Sequence, residues 1–377
     1  MYYFDNLMAR APLSEVKQTL AESYENEWFN PASIHRPSQN LLTKLHASYL
    51  DLVQFLGASH EDGLLFCNSH EESIAHVIQG IYFEEARPTG KNHFLCTSLE
   101  EAAIMLNLEK ISSLGASHDL IEATPEGTID LEHLHDSIQP RTQAICFSWA
   151  NSLTGVIQPV EEITKICAER GVKLFVDASA LAGLYETPLN GIDYLTYWGN
   201  PLGALSASAL IWMKKGKHLP SLMPCGHDWM HSTTSHPAAL MGIGVAAKLT
   251  LEQRERHLWH LMSLQEKFEN TLKEKAGPIT VLFENSQRLV HVSAIAFHGV
   301  HGELLAWHLN RNGVYATFGG GTRQQIHYLL KASHVPASLQ HATLSFAFSP
   351  DMSLESVEQA AHLIADNVYM LRRMHQF

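Results

Sequence analysis

LFVDASALAGLYETPLNGIDYLTYWGNPLGALSASALIW, residues Leu174 to Trp212, is the stretch on which the fold turns. It opens with an apolar run, Leu174 to Val176, that reads as a buried strand ending on Asp177. A second apolar segment, Tyr194 to Tyr197, leads into a Gly/Pro turn, Trp198 to Pro201, and then into a small-residue strand expected over Ser206 to Trp212. An acid at the carboxyl end of one strand and a tight turn after its neighbour place both at the crevice where open α/β sheets bind ligands.

Strand and helix signals alternate on either side of this stretch. Upstream, strands are expected at Gly63 to Cys67, His93 to Thr97, near Leu120 and at Ala144 to Ser148, with helices from Glu71, Glu100, Asp130 and Val160. This rhythm implies a mainly parallel sheet with helices on both faces. A long helical region, Pro237 to about Lys275, leads to strands at His291 to Phe297 and Ala342 to Phe346 and to helices at Gly302 to Arg311 and Leu354 to Arg373. The expected division is a large domain over 15–250 and a smaller α+β domain from 1–14 and 251–377.

Composition narrows the function classes. Of 377 residues 45% are hydrophobic and 17% charged, ordinary for a globular α/β chain. The net charge of −13 with no basic block argues against nucleic acid as a partner. No apolar run is long enough for a membrane span, and no signal peptide is visible, so a cytoplasmic location is expected. The five cysteines form no CxxC pair and read as reduced core residues. His257 and His260 lie one helical turn apart; a solvated helix face outweighs a zinc site there, and no metal is expected.

Several motifs stand in order along nearly the whole chain: Tyr3 to Val16 with its Asp5-Asn6, Asn30-Pro-Ala-Ser-Ile-His-Arg36, Trp149-Ala-Asn-Ser-Leu-Thr-Gly155, Asp177-Ala-Ser-Ala180 and Phe297 to Gly313. Together they resemble the fold type I pyridoxal-phosphate enzymes, most closely the cysteine desulfurase branch of the class V aminotransferases. The resemblance implies an aminotransferase-like α/β fold with active sites at the interface of a homodimer. The dimer surfaces would lie around Asn30 to Arg36 and Cys225 to His236, with the apolar run Pro237 to Ala247 suited to such an interface.

At the positions that match the family's site, this sequence departs from the pattern. The Schiff-base lysine falls at Asn200, the nucleophilic cysteine at Thr322, the ring-stacking histidine at Glu101 and the substrate-binding arginine at Ser345. Asp177 keeps the place of the acid that bonds the pyridine nitrogen, while the glutamine for the phenolic oxygen falls at Ala180. The phosphate-holding turn falls at Ser69-His70-Glu71, where a carboxylate opposes a phosphate by roughly 4 kcal/mol per unit-charge pair at ~4 Å. Ser152, Tyr197, Gly199 and Thr234 complete the cofactor positions, and the rings of Tyr197 and Trp198 are expected to fill the phosphate's space.

From these departures no cofactor is expected: pyridoxal phosphate is not held covalently, and its non-covalent binding should be weak. The leading expectation is a catalytically inactive desulfurase-like protein that acts by binding, as scaffold or regulator, with an active desulfurase or a sulfur-acceptor protein as partner. The alternatives are a pyridoxal-phosphate enzyme with unusual chemistry, and an unrelated activity in the crevice built on Glu71, Glu101, Asp177 or His70.

Overall fold

The computed structural model describes residues 1–217, 219, 236–320 and 325–374. Twelve strands among them run in chain order: β1 Tyr2–Tyr3, β2 Gly63–Cys67, β3 His93–Thr97, β4 Ser117–Ile121, β5 Thr142–Ser148, β6 Lys173–Asp177, β7 Tyr194–Trp198, β8 Ala209–Met213, β9 Ile279–Val281, β10 Val292–Phe297, β11 Val314–Tyr315 and β12 Thr343–Ala347. Seven of them form one sheet in the order β2-β8-β7-β6-β5-β3-β4. β8 alone runs against the other six strands, so the sheet is mainly parallel as expected.

Every residue of β3, β5 and β8 is buried, because helices cover both faces. The strand alternation divides the core in two. On one face Phe175 and Tyr194 pack with Ile74, Val77 and Ile104 from helices His70–Ile81 and Ala102–Ser112. On the other, Leu174, Val176 and Leu195 pack with Leu52 and Ile163 from helices Arg36–Leu56 and Val160–Arg170. Asp177 shares the parity of Phe175, which sets the face on which the site is built.

The small-residue segment before β8 differs from expectation. Residues 206–208 form a turn instead of a strand, because Ser208 Oγ donates to the Leu205 carbonyl and the Ser206 carbonyl receives the Trp198 indole N–H at 2.9 Å.

The 39-residue helix Pro237–Lys275 joins the two parts of the chain. Its apolar start corrects the interface reading: Ala238, Leu240, Met241, Ile243 and Ala247 are buried within the single chain, in a helix packed on Ser14–Asn26 and Arg36–Leu56. Gly244 permits that approach, since a Cβ there would sit 2.7 Å from Ser48 Cβ. Beyond this helix, β12-β10-β9 form an antiparallel sheet covered by helices Gly302–Arg311 and Leu354–Met374. Phe4 anchors the N-terminus there, its ring edge-on to Phe346 and Phe348. No helix among the described residues is long and apolar enough to cross a membrane.

Candidate functional site

Asp177 ends β6 at the carboxyl edge of the sheet, with β7 and the N-terminus of helix His70–Ile81 beside it. Its Oδ1 accepts hydrogen bonds from Thr196 Oγ1 and Ser179 Oγ, each at 2.7 Å. The third partner is His70, whose Nε2 lies 3.1 Å from the same oxygen, with both side chains buried. The His70 ring stacks on Trp198, centroids 5.5 Å apart and planes 8° from parallel. His70 and Asp177 stand 107 residues apart in sequence, and the fold brings them together.

Burial alone would push the His70 pKa down, but the Asp177 carboxylate, with Glu101 and Glu71 beyond it, raises it to about 9. Burial likewise works to raise Asp177, and the His70 charge and hydrogen bonds from His70, Thr196 and Ser179 outweigh it, holding the acid below its usual range. The pair is therefore an imidazolium–carboxylate ion pair at neutral pH. It presents a flat, aromatic, N–H-bearing cation to Asp177.

Two acids line the adjoining wall. Glu101 accepts from Ser152 Oγ at 2.8 Å, and burial raises its pKa. Glu100, not singled out in the sequence, is buried; its Oε2 accepts from both the N–H and Oγ of Ser148 and its Oε1 from Thr97 Oγ1. Burial raises it to about 8 against those hydrogen bonds. The signal is its place between the end of β3 at Thr97 and a helix that starts two residues later than expected, at Ala102.

The remaining sequence-selected residues fall in different places. Asn200 lies in the turn after β7, where Oδ1 accepts from the Arg10 N–H at 2.9 Å while Nδ2 donates to the Arg10 carbonyl at 3.2 Å and to Ser206 Oγ at 3.1 Å. Ser345, in β12, donates to the Leu153 carbonyl at 2.7 Å. Ala180 is buried and its carbonyl receives His291 Nε2 at 3.0 Å. A Cβ on Gly199 would collide with Ser208 Oγ and Ile243. Thr322, Thr234 and the segment Cys225 to Ser235 lie outside the described residues.

Two expectations are corrected. Glu71 and Glu72 both lie in the first turn of the helix, but Glu71 is exposed, and it is Glu72 that receives the Asn68 N–H at 2.7 Å while Ser69 Oγ takes the Glu72 N–H at 3.1 Å. This is a variant of the capping box, in which the Glu72 carboxylate reaches one residue beyond the N-cap, and it occupies the Asn68 and Glu72 amides. Tyr197 does not fill the phosphate space: strand alternation turns it to the opposite face, where its hydroxyl receives the Gly183 N–H and its ring meets Phe55. Trp198 lies on the Asp177 side of the sheet, stacked on His70.

Residues 2–194 match the family described as Aminotransferase class-V. The chain belongs to this family. It is similar to the Cysteine desulfurase NifS of Azotobacter vinelandii, 24% identical over 385 residues that cover 100% of this chain and 94% of that protein. It is also similar to a Cysteine desulfurase of Bradyrhizobium diazoefficiens, 25% identical over 98% of this chain and 95% of that protein. Among solved structures, a NifS-like protein superposes with a TM-score of 0.90 at 19% identity, covering 98% of this chain and 100% of the other. The apo Cysteine Desulfurase from Thermococcus onnurineus NA1 gives a TM-score of 0.80 at 20% identity, covering 98% and 95%. The fold is that of the NifS-like, fold type I class V proteins.

Membership corrects the expectation that no cofactor is involved, because the class V aminotransferases and cysteine desulfurases it matches are pyridoxal-phosphate proteins. The residues as arranged do not fit that group. The space beside Glu101, Asn151, Ser152 and Gly319 is about 20 Å3, room for roughly one water. His70 holds the Asp177 oxygen, and the helix N-terminus carries its own caps. Entry of the cofactor requires His70 to leave Asp177. His70→Ala is accordingly expected to bind pyridoxal phosphate about tenfold or more tightly than wild type, since a pyridinium N–H then satisfies an otherwise unpaired buried carboxylate. Absorbance titration of both proteins measures this, and equal or weaker binding by the variant refutes it.

Proposed function

We propose that this class V chain is a cysteine desulfurase-like protein that does not itself carry out sulfur transfer and acts by binding, as scaffold or regulator. The observation that supports this best is Asn200. The position matching the Schiff-base lysine holds an amide whose two ends are committed to the Arg10 backbone, and an amide forms no imine. Ser345, at the position of the carboxylate-binding arginine, is likewise committed, to the Leu153 carbonyl.

The reading includes a homodimer in the cytoplasm, a large part over 15–250 with a smaller part from 1–14 and 251–377, and an active desulfurase or a sulfur acceptor as partner. A net charge of −13 favours a basic partner and an association that weakens with salt. The test supplies the purified full-length chain with pyridoxal phosphate and cysteine beside an active desulfurase. The expected results are no sulfide above background, no lysine labelled on borohydride reduction, and a sedimentation mass near twice 42.1 kDa. Sulfide release or a labelled lysine overturns the inactive reading, and a single-chain mass overturns the dimer.

A second reading, an unrelated acid–base activity in the crevice, is favoured by one observation: the buried His70–Asp177 pair stands near Glu100 and Glu101, both raised by burial. A small metabolite found ordered beside Asp177, with only the protein itself recovered in a native pull-down, would put this reading first.

A further inference from the structure

Three histidines from three separate elements form a column at the surface of the smaller sheet. His301 precedes helix Gly302–Arg311, His327 lies in helix Ile326–Ala332, and His341 leads into β12. His301 and His341 are exposed and His327 is half-buried. His341 stands in the middle. Its ring centroid is 5.9 Å from that of His301, with the planes 15° apart, and 5.3 Å from that of His327, with the planes 31° apart. The rings stack instead of converging, and among the described residues no group of three such side chains could hold a metal ion.

The two contacts of the column differ in how they are held. The backbone fixes the first, because the Gly302 N–H donates to the His341 carbonyl at 2.7 Å. The second depends on where the seven-residue helix Ile326–Ala332 sits. That helix packs on helix Ala337–Gln340 and on β12, neither of which carries a titratable side chain. Tyr328 adds a ring 4.0 Å from His327. The groups acting on His327 are therefore its neighbours in and around the column. Burial comes first and lowers its pKa, His341 and Lys331 act in the same direction, and Glu303 opposes them.

The helix is also a wall of the crevice. Ile326, Leu329 and Leu330 are buried in one apolar cluster with Leu153. Leu329 and Leu153 line the space of about 20 Å3 beside Glu101 and Ser152. A helix that shifts away from Leu153 enlarges that space.

We propose that the column is a pH-sensitive catch: protonation of His301, His327 and His341 sets like charges side by side, loosens helix Ile326–Ala332 and opens the crevice at Leu329. The sign follows from His327. A histidine that takes a proton less readily in the folded chain contributes fully above its ordinary value of 6.5, and the contribution is lost as pH falls from there through the folded value. Glu303 supplies one negative charge against three positive ones. The catch is closed at neutral pH and released by acid, whatever chemistry or binding the crevice serves.

The experiment is amide hydrogen exchange of the full-length protein at pH 7.5 and pH 5.5, with each rate divided by that of the unstructured chain at the same pH. Ser333 and Val335, whose N–H groups donate to the Leu329 and Leu330 carbonyls at 3.0 and 2.9 Å, report the helix, and the Leu153 amide reports the crevice. All three are expected to lose protection by about threefold or more at the lower pH, while β10 and β12 keep theirs. A double variant, His327→Gln with His341→Gln, should show no such difference; both side chains reach the surface, and the apolar cluster is untouched. Equal protection at the two pH values, an equal loss in β10 and β12, or the same loss in the double variant each overturns the proposal.

Discussion

Asp177→Ala is expected to lower the unfolding free energy by about 3–5 kcal/mol at pH 7, because it leaves the His70 imidazolium buried against Trp198 with no counter-charge. The same change should drop the His70 pKa from about 9 to below its ordinary 6.5, since burial then acts without the main opposing charge. A double variant, His70→Phe with Asp177→Leu, should be less destabilised than Asp177→Ala alone, because it removes both charges at similar volume. The pH dependence follows from the directions of the shifts. His70 is raised, so its stabilisation, of order 3 kcal/mol, is complete below about pH 6.5 and lost as pH rises through about 9. Glu100 is also raised, from 4.5 to about 8, so stability falls further as pH climbs across that interval. Asp177 is lowered, and its contribution is present above its ordinary value and lost as acid carries the pH down through the folded one. Urea denaturation at pH 6 and pH 9.5 should show wild type weaker at the higher pH, with a smaller difference in His70→Asn. An Asp177→Ala protein as stable as wild type would show that the pair contributes nothing.

Asn200→Lys is expected to cost about 2–4 kcal/mol and to yield no sulfide from cysteine when pyridoxal phosphate is supplied. The amide makes three hydrogen bonds, two to the Arg10 backbone and one to Ser206. A lysine can reproduce the donor to the Arg10 carbonyl but not the acceptor for its N–H. Residue 200 is 2% exposed, so an ammonium there is desolvated or must deprotonate. On the proposed reading no sulfide is expected, because Ser345, Glu101 and Ala180 do not supply the arginine, histidine and glutamine contacts that the resemblance places at those positions. Thermal denaturation and a sulfide assay on the same preparation decide it; an undiminished melting temperature or measurable sulfide would contradict this account of the turn.

The frame was readable where the pattern was strongly periodic. Gly63–Cys67, Val160–Arg170 and Gly302–Arg311 fall at the expected bounds, and the sheet is mainly parallel. What escaped depends on phase or on tertiary partners. Glu71 and Glu72 differ by one helical step, about 100°, and only one of them can reach back to Asn68. Tyr197 and Trp198 differ by one step of the strand, and parity with Asp177 through Thr196 gives the side, but only once β6 and β7 are known to pair in register. The apolar character of residues 237–247 announced burial without saying against what, and the chain's own helices supply the answer. Asp177 is legible from its place at a strand end; its partner His70 comes from the far side of β7 and β8, which no local pattern reveals.

The Asn200–Arg10 link has a consequence for how this sequence can change. A substitution toward the family's lysine breaks a backbone tie before any new chemistry becomes possible, and one toward its arginine at Ser345 must first vacate the Leu153 carbonyl. Each of these replacements, made alone, gives up a buried hydrogen bond and is expected to cost stability. The turn thus acts as a one-way latch in sequence space. Laboratory selection for sulfide release starting from this chain should stall unless residues 10 and 200 are varied together.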